Sequence, residues 1–449
     1  MKNTDNKRQA WVFSLFVTSA LAVFAACSNT SAPEDYEGAV EYTGAMVWTD
    51  GTFVQRDLVV HNGQFKAPPR KKPPQMTSVD MTGKFITPPF GDAHTHKIEG
   101  VARLESFNRQ YIEEGVFYVQ NPAGLPRLMT DSRPFTDRPE TIDAKYSMGA
   151  ITTPFGHPER GYVEFMTRYA YKGETRESMR GTAIHAVKTE DDVKRAIEIL
   201  VEDKADFVKI ILEGSEDYET QSAIIEEIGP NTEGVSPFVT SGMNPDLVPT
   251  TVRYAGEAGL AVKAHVATAY DFKVAVEAGV DQILHMPGTV PKGDKPLDTY
   301  ILDADIAQAA AEADIAVVAT AAVRLEFVRS EMCDQFFKDD CDKIFPIQKQ
   351  NMRTLLDNGV SILIGTDNYF ARARSEVDHV REIEAMSDAE ALTAWIATGP
   401  GIFPERKIGA LQPGYEADFL VLDANPLTDF TTLDRIETRV KGGETLVLE

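Results

Sequence analysis

The sequence predicts an α/β protein: a (β/α)8 TIM-like barrel with a small β-sandwich formed by the N- and C-terminal segments. Three observations predict it. From Phe85 onward, short apolar β-branched runs alternate with helical patterns, eight runs in all. Residues able to bind metal or move protons stand at the ends of several runs, and a parallel barrel gathers its strand ends on one face. Strand-like patterns also occur at both ends of the chain, outside the alternation.

Residues 1–26 read as a signal peptide. Lys2, Lys7 and Arg8 make a basic start, and the apolar stretch from Ala10 to Val23 is short for a membrane span. Phe24-Ala25-Ala26-Cys27 is similar to a bacterial lipobox, in which Cys27 becomes the lipidated first residue. Phe24 stands where Leu is usual, so cleavage without lipidation stays open. Ser28 after the cysteine fits the outer membrane. The expectation is an exported, periplasmic outer-membrane lipoprotein that meets the membrane only through this anchor. Residues 27–43 would be its tether.

Residues 44–84 form the N-terminal part of the sandwich. Their clearest feature is Asn62-Gly63, a hairpin turn between alternating apolar residues; His61 beside it reads as exposed and inert. The proline-rich basic stretch 67–75 is a surface loop. The barrel spans residues 85–403, with strands at 85–96, 116–120, 146–152, 207–212, 261–266, 282–285, 315–320 and 361–365. Helices are expected at 191–201, 271–278, 303–312, 347–358 and 389–397. In the first, Thr189 and Asp192 make a capping box, and Val193, Ala196, Ile197 and Leu200 fall on one stripe. Residues 404–449 return to the sandwich through an apolar run at 417–422 and a hairpin at 440–446.

A chain of 449 residues can bury a large core, and its formal charge of −24 argues against nucleic acid as a partner. Whether copies associate stays open. Cys333 and Cys341 could close a small loop in an oxidising compartment or stay as two thiols.

The chemistry lies at the strand ends. His94 and His96 close the first run; alternate residues of an extended strand share a face, which suits a divalent ion that accepts imidazole. Lys209 lies inside the fourth, His265 and His285 end the fifth and sixth, and Asp367 follows the eighth. Singly, each has an ordinary reading: a satisfied histidine, a snorkelling lysine, a helix cap. Their convergence on one mouth is what points to a site.

On these residues the chain resembles the amidohydrolase superfamily almost end to end. The carriers are Asp92-Ala93-His94-Thr95-His96, Lys209 in Asp206-Phe207-Val208-Lys209-Ile210, His265, His285, Gly365-Thr366-Asp367, and the stretch from Ile408 to Phe419. The metal pattern is similar to the binuclear, prolidase-like branch that includes the microbial Xaa-Pro dipeptidases. That resemblance implies two divalent ions, of which zinc is the first expectation, bridged by a carbamylated Lys209. His94, His96, Lys209 and Asp367 would hold the more buried ion; Lys209, His265 and His285 would hold the other. A bridging water, its pKa brought from ~15.7 to about 7, would attack an amide carbonyl, with Asp367 as proton shuttle. The implied activity is hydrolysis of a C–N bond in an amide, N-acyl amino acid or dipeptide. Alternatives are a lactonase or phosphotriesterase-like ester hydrolase and a metal-retaining binding lipoprotein.

His157 resembles the Gly-His of prolidase-like members and would contact the scissile carbonyl; an uninvolved loop histidine is the other reading. His185 and His379 read as structural. Arg127, Arg133, Arg138, Arg160 and Arg168 form a local basic excess, read either as solvated charges or as partners for a substrate carboxylate. Asn121, Arg324 and Tyr369 fall near strand ends without an assigned role. Pro89 and Thr398-Gly399-Pro400-Gly401 depart from the superfamily's usual Gly and Asn-Pro-Ala.

Overall fold

A computed structural model describes residues 36–169, 171–229, 239–289, 295–323, 325–329, 333 and 341–448. The signal segment, Cys27, residues 28–35 of the tether and Arg324 lie outside the described residues.

Six strands open the described chain: β1 (Val40–Thr43), β2 (Met46–Thr49), β3 (Thr52–Gln55), β4 (Leu58–His61), β5 (Gln64–Lys66) and β6 (Thr77–Asp80). Strand β1 begins inside the stretch expected as tether, because Tyr42 on it is buried edge-on against Phe419, 5.1 Å between ring centres. The β4–β5 hairpin turns through Asn62 and Gly63, with φ of 51° and 72°, the pair of left-handed residues a tight hairpin needs. His61 donates its Nε2–H to the Glu37 carbonyl at 3.1 Å, and its ring stacks on Tyr36.

The run expected as one strand over residues 85–96 is two. Strand β7 (Phe85–Thr87) joins the terminal sheet, and β8 (Phe90–Asp92) starts the parallel strands. Pro88 and Pro89 separate them, since neither has an N–H to give a ladder. The parallel strands continue with β9 (Val116–Asn121), β10 (Asp143–Tyr146), β11 (Ala150–Thr152), β12 (Ile184–Ala186), β13 (Phe207–Ile211), β14 (Ala261–His265), β15 (Gln282–Leu284), β16 (Ala316–Val318) and β17 (Ile362–Leu363). They fall into two sheets, ordered β10-β9-β8 and β12-β11-β13-β14-β15-β16-β17, where one eight-stranded barrel was expected. The break comes inside the expected third strand, where Met148 and Gly149 have φ of 58° and 141° and interrupt the ladder. Backbone bonds outside the ladders join the sheets at both edges. Asp206 N–H donates to the Tyr146 carbonyl at 2.8 Å, and Ala93 N–H donates to the Ile364 carbonyl at 2.8 Å.

The C-terminal strands β18 (Phe419–Leu422), β19 (Thr438–Lys441) and β20 (Glu444–Thr445) extend the terminal sheet to the order β20-β19-β18-β7-β2-β3. A second sheet, β5-β4-β1-β6, shares a core with it: Tyr42, Val47, Val60, Phe65, Ile86, Phe419 and Val421 pack together. Each expected helix is present, four of them longer than predicted; the helix Glu190–Glu202 carries the Thr189–Asp192 capping box and buries Val193, Ala196, Ile197 and Leu200. The sequence reading missed helices at Leu104–Glu113, Glu159–Tyr169, Tyr218–Ile228 and Val248–Glu257, and strand β12. Cys333 and Cys341 are joined by a disulfide, which resolves the open alternative.

Helix Asp388–Ile402 seats β8. Trp395 stacks on Phe90 at 3.9 Å, and a Cβ on Gly91 would lie 2.6 Å from Thr398 Cγ2. The Thr398 hydroxyl accepts from Ile364 N–H at 2.9 Å and donates to the Ala394 carbonyl at 2.8 Å. Gly399 meets the Tyr118 ring at 2.5 Å from where a Cβ would stand, so the departure from Asn-Pro-Ala gives close helix–strand packing.

Beneath the strand ends lies a buried polar layer. Lys263 donates to the Gln120 amide oxygen, and Gln120 donates to Gln282 at 3.1 Å and to the Ala93 carbonyl at 2.9 Å. Burial, aided by Lys145, pushes the Lys263 ammonium down to about 7 from 10.5. The unfolded chain therefore binds the extra proton between those values, and the cost to the fold is complete below about 7 and fades as pH rises to 10.5. Lys263→Met should raise Tm more at pH 6 than at pH 10 in calorimetric melts. An equal shift at both would show that the amine carries no such penalty.

Candidate active site

Four strand ends supply the site. His94 and His96 lie just beyond β8, held in register by Thr95 N–H donating to the Gln120 carbonyl at 2.9 Å. His265 is the last residue of β14, His285 follows β15, and Asp367 follows β17. His285, Thr320 and Asp367 have φ of 80°, 48° and 45°; such strain outside glycine persists where the surroundings over-determine it, commonly at working sites. The Asp367 N–H donates to the His94 carbonyl at 2.6 Å, which ties the two ends of the parallel set together.

Five imidazoles form an arc. Ring centres run from His157 to His265 at 4.9 Å, to His285 at 4.3 Å, to His94 at 4.6 Å and to His96 at 5.6 Å. Asp367 faces one part of it: Oδ1 is 3.3 Å from His94 Nε2 and 3.2 Å from His96 Nε2, and Oδ2 is 3.9 Å from His285 Nε2. Glu213 faces the other, with Oε2 3.4 Å from His157 Nδ1.

Burial, reinforced by the neighbouring positive groups, holds His94 and His265 well below their ordinary pKa and His285 down to about 3, so all three are neutral. Both ring nitrogens of His94 and Nε2 of His285 are buried without a hydrogen-bond partner. Asp367 stays ionised: burial would raise it, but His94, His96 and His285 outweigh that. Burial also brings Lys209, 4% exposed, down to about 8, with Asp367 opposing. Its charge is felt by His94, His265 and His285 alike, so the amine lies within the same group. Neutral imidazoles with orphaned lone pairs around an ionised carboxylate are the donor set of a divalent ion, and these residues fit one.

The model of the amidohydrolase family matches residues 176–446, more than half of the chain. The chain belongs to the amidohydrolase family.

Its class follows: a hydrolase of carbon–nitrogen bonds in a family that is typically metal-dependent. None of the curated protein sequences matches this amidohydrolase. Solved structures do. It is similar to a Xaa-Pro dipeptidase with bound methionine (18% identity, TM-score 0.65, 91% of this chain and 99% of that one). It is also similar to A. niger ochratoxinase (18%, 0.68, 91% and 95%) and to phenylurea hydrolase B (16%, 0.65, 91% and 97%).

Three supporting residues of the amidohydrolase went unseen in the sequence. Glu99 Oε1 lies 2.8 Å from His96 Nδ1, accepts from Asn121 Nδ2 at 3.1 Å, and its other oxygen takes the Tyr171 hydroxyl. Thr320 Oγ1 is 2.7 Å from His285 Nδ1. Glu213 continues the alternation of β13 four residues past Lys209, a spacing that could have revealed it. Burial opposes charge on His96, yet Asp367 and Glu99 lift its pKa to about 9. Such outer carboxylates orient a metal-binding ring, so Glu99→Gln should weaken the affinity for a divalent cation about 10–100-fold in a chelator competition. Unchanged affinity would remove Glu99 from that role.

The remaining histidines and the arginines stand elsewhere. His185 is on β12 and is buried down to about 4, and His379 pairs with Gln348 at 2.9 Å. Arg127 pairs with Glu174, Arg133 with Asp206, and Arg138 donates to the Pro134 carbonyl. Arg160 is buried, with Nη1 3.5 Å from the Gly229 carbonyl, and Arg168 is exposed. Tyr369 lies at the site, its ring 5.5 Å from that of His96. A cavity of about 940 Å³ at the opposite ends of the strands, lined by Trp48, Arg56, Lys145 and Lys263, contains no histidine.

Proposed function

We propose that this chain is a binuclear, prolidase-like amidohydrolase that cleaves an amide, N-acyl amino acid or dipeptide. The observation that carries this reading is the arc of imidazoles around Lys209 with Asp367 set against it. On this reading the two parallel sheets close as one barrel through their edge bonds, and the terminal sheets pack as a sandwich. His94, His96, Lys209, His265, His285 and Asp367 would hold two divalent ions, zinc first among them. Bound there, such ions supply Lewis acidity toward a carbonyl oxygen and make a water more acidic.

The residues do the rest. A lysine depressed to about 8 is neutral far more often near neutral pH than one at the ordinary 10.5, and the neutral amine is what uptake of CO2 to a carbamate requires. Asp367, ionised and facing His94 and His96, takes a proton from the attacking water and returns it to the leaving nitrogen. The dipeptidase and ochratoxinase likenesses support an amide substrate over an ester.

The test is metal analysis followed by turnover of the zinc-loaded protein on a library split between amides and esters. Two equivalents per chain and preferential cleavage of N-acyl amino acids or dipeptides are expected. Turnover confined to lactones or phosphotriesters would replace the reading, and full metal without turnover would make the protein a binder. We place it outside the cytoplasm, anchored through Cys27, with a small molecule as its partner; mass spectrometry of the mature N-terminus tests this.

A further inference from the structure

The turn that follows Asp367 carries two aromatic side chains that proton transfer and cation binding leave unused. The Tyr369 ring lies 5.5 Å from that of His96, and its hydroxyl donates to Met166 Sδ at 3.8 Å, which seats it between the site and helix Glu159–Tyr169. Phe370 beside it is 79% exposed, against 46% for Phe135 and for Tyr270. A lone exposed apolar side chain is ordinary on a protein surface. Phe370 differs in its footing and in its position.

The footing is rigid. Asn368 Oδ1 accepts from the Phe370 N–H at 2.8 Å and from the Ala371 N–H at 3.0 Å, a turn closed by its own side chain. Buried Lys97 donates to the Ala371 carbonyl, and Arg374 N–H donates to Glu114 Oε2 at 3.4 Å. With the Asp367 N–H on the His94 carbonyl, the segment is tied down at both ends and in the middle. Ordering it costs conformational entropy, and the fold recovers little by burial of a ring left mostly in water. The position points to what covers that ring. Three residues span at most about 11 Å, so Phe370 stands near the nitrogen that Asp367 protonates on the reading above.

We propose that Tyr369 and Phe370 form the subsite for the departing amine and select one with an aromatic or large apolar side chain. The substrates are then N-acyl amino acids or dipeptides whose leaving residue is phenylalanine-like. As water adds its hydroxyl to the acyl carbon and the C–N bond breaks, the nitrogen takes the proton and the amine departs across these two rings. An aromatic group there meets Phe370 offset or edge-on and removes apolar surface of both from water, which a glycine leaving group cannot do.

This subsite rests on the amide-hydrolase reading, and one set of measurements separates the two. kcat/KM of the zinc-loaded protein is measured on N-acetyl-L-phenylalanine and on N-acetylglycine. Wild type should favour the phenylalanine compound about 10–100-fold, and Phe370→Ala should lower that ratio about tenfold, while Phe370→Tyr keeps it. The replaced ring is exposed, so both variants should melt close to wild type. Equal kcat/KM on the two compounds, or a ratio that Phe370→Ala leaves alone, overturns the subsite with amide cleavage intact. If neither compound is cleaved, calorimetric binding of both to wild type and to Phe370→Ala decides. Tighter binding of N-acetyl-L-phenylalanine that Phe370→Ala abolishes upholds the subsite and counts against amide cleavage. Equal or undetectable binding overturns both.

Discussion

Asp367→Asn is expected to lower kcat by about 10²–10⁴-fold, the range a positioned proton carrier contributes, with thermal stability close to wild type. The substitution is nearly isosteric and spares the backbone. Asparagine tolerates the left-handed φ of 45° as readily as aspartate does, and the N–H that donates to the His94 carbonyl is untouched. What changes is charge. The carboxylate that lies 3.3 Å and 3.2 Å from the rings of His94 and His96 can no longer accept a proton. Steady-state kinetics across pH, with a melting curve on the same sample, checks this. Turnover within a few-fold of wild type would remove Asp367 as the shuttle.

The second large effect concerns Lys209. Lys209→Ala should leave at least one cation position empty after metal loading and dialysis, with activity falling by a comparable factor. Adding a short carboxylic acid such as propionate should restore part of both, because on the proposed reading a free carboxylate would stand in for the carbamate. Retention of both ions without the acid would end the carbamate idea. The stability of the variant should not suffer: the site loses a buried amine that the fold depresses to about 8.

Much of this site was legible because it is written at the ends of strands. His265 and His285 close runs of alternating or apolar residues, and Asp367 follows the last apolar run, so periodicity placed them without knowledge of their contacts. Helix Glu190–Glu202 was legible for the same kind of reason, a capping box followed by one apolar stripe. The break at Pro88-Pro89 was written in the sequence as well, in two consecutive residues without N–H groups, and was read through. The interruption at Met148-Gly149 depends on φ angles that no local pattern announces. Glu99 and Glu213 were missed for a different reason. Glu99 stands only three residues from His96 but in a loop looks like solvated charge, and Glu213, despite its spacing from Lys209, meets His157 only once the chain has folded. Helix Val248–Glu257 was missed although Val248, Thr251 and Ala255 lie buried along one face and a proline stands in its first turn.

The pairing of Phe85–Thr87 with Phe419–Leu422 carries a consequence for biosynthesis. The segment that leads directly into His94 and His96 lies between β2, just upstream, and a strand more than three hundred residues downstream. A nascent chain therefore leaves one edge of Phe85–Thr87 unpaired until Phe419–Leu422 has left the ribosome.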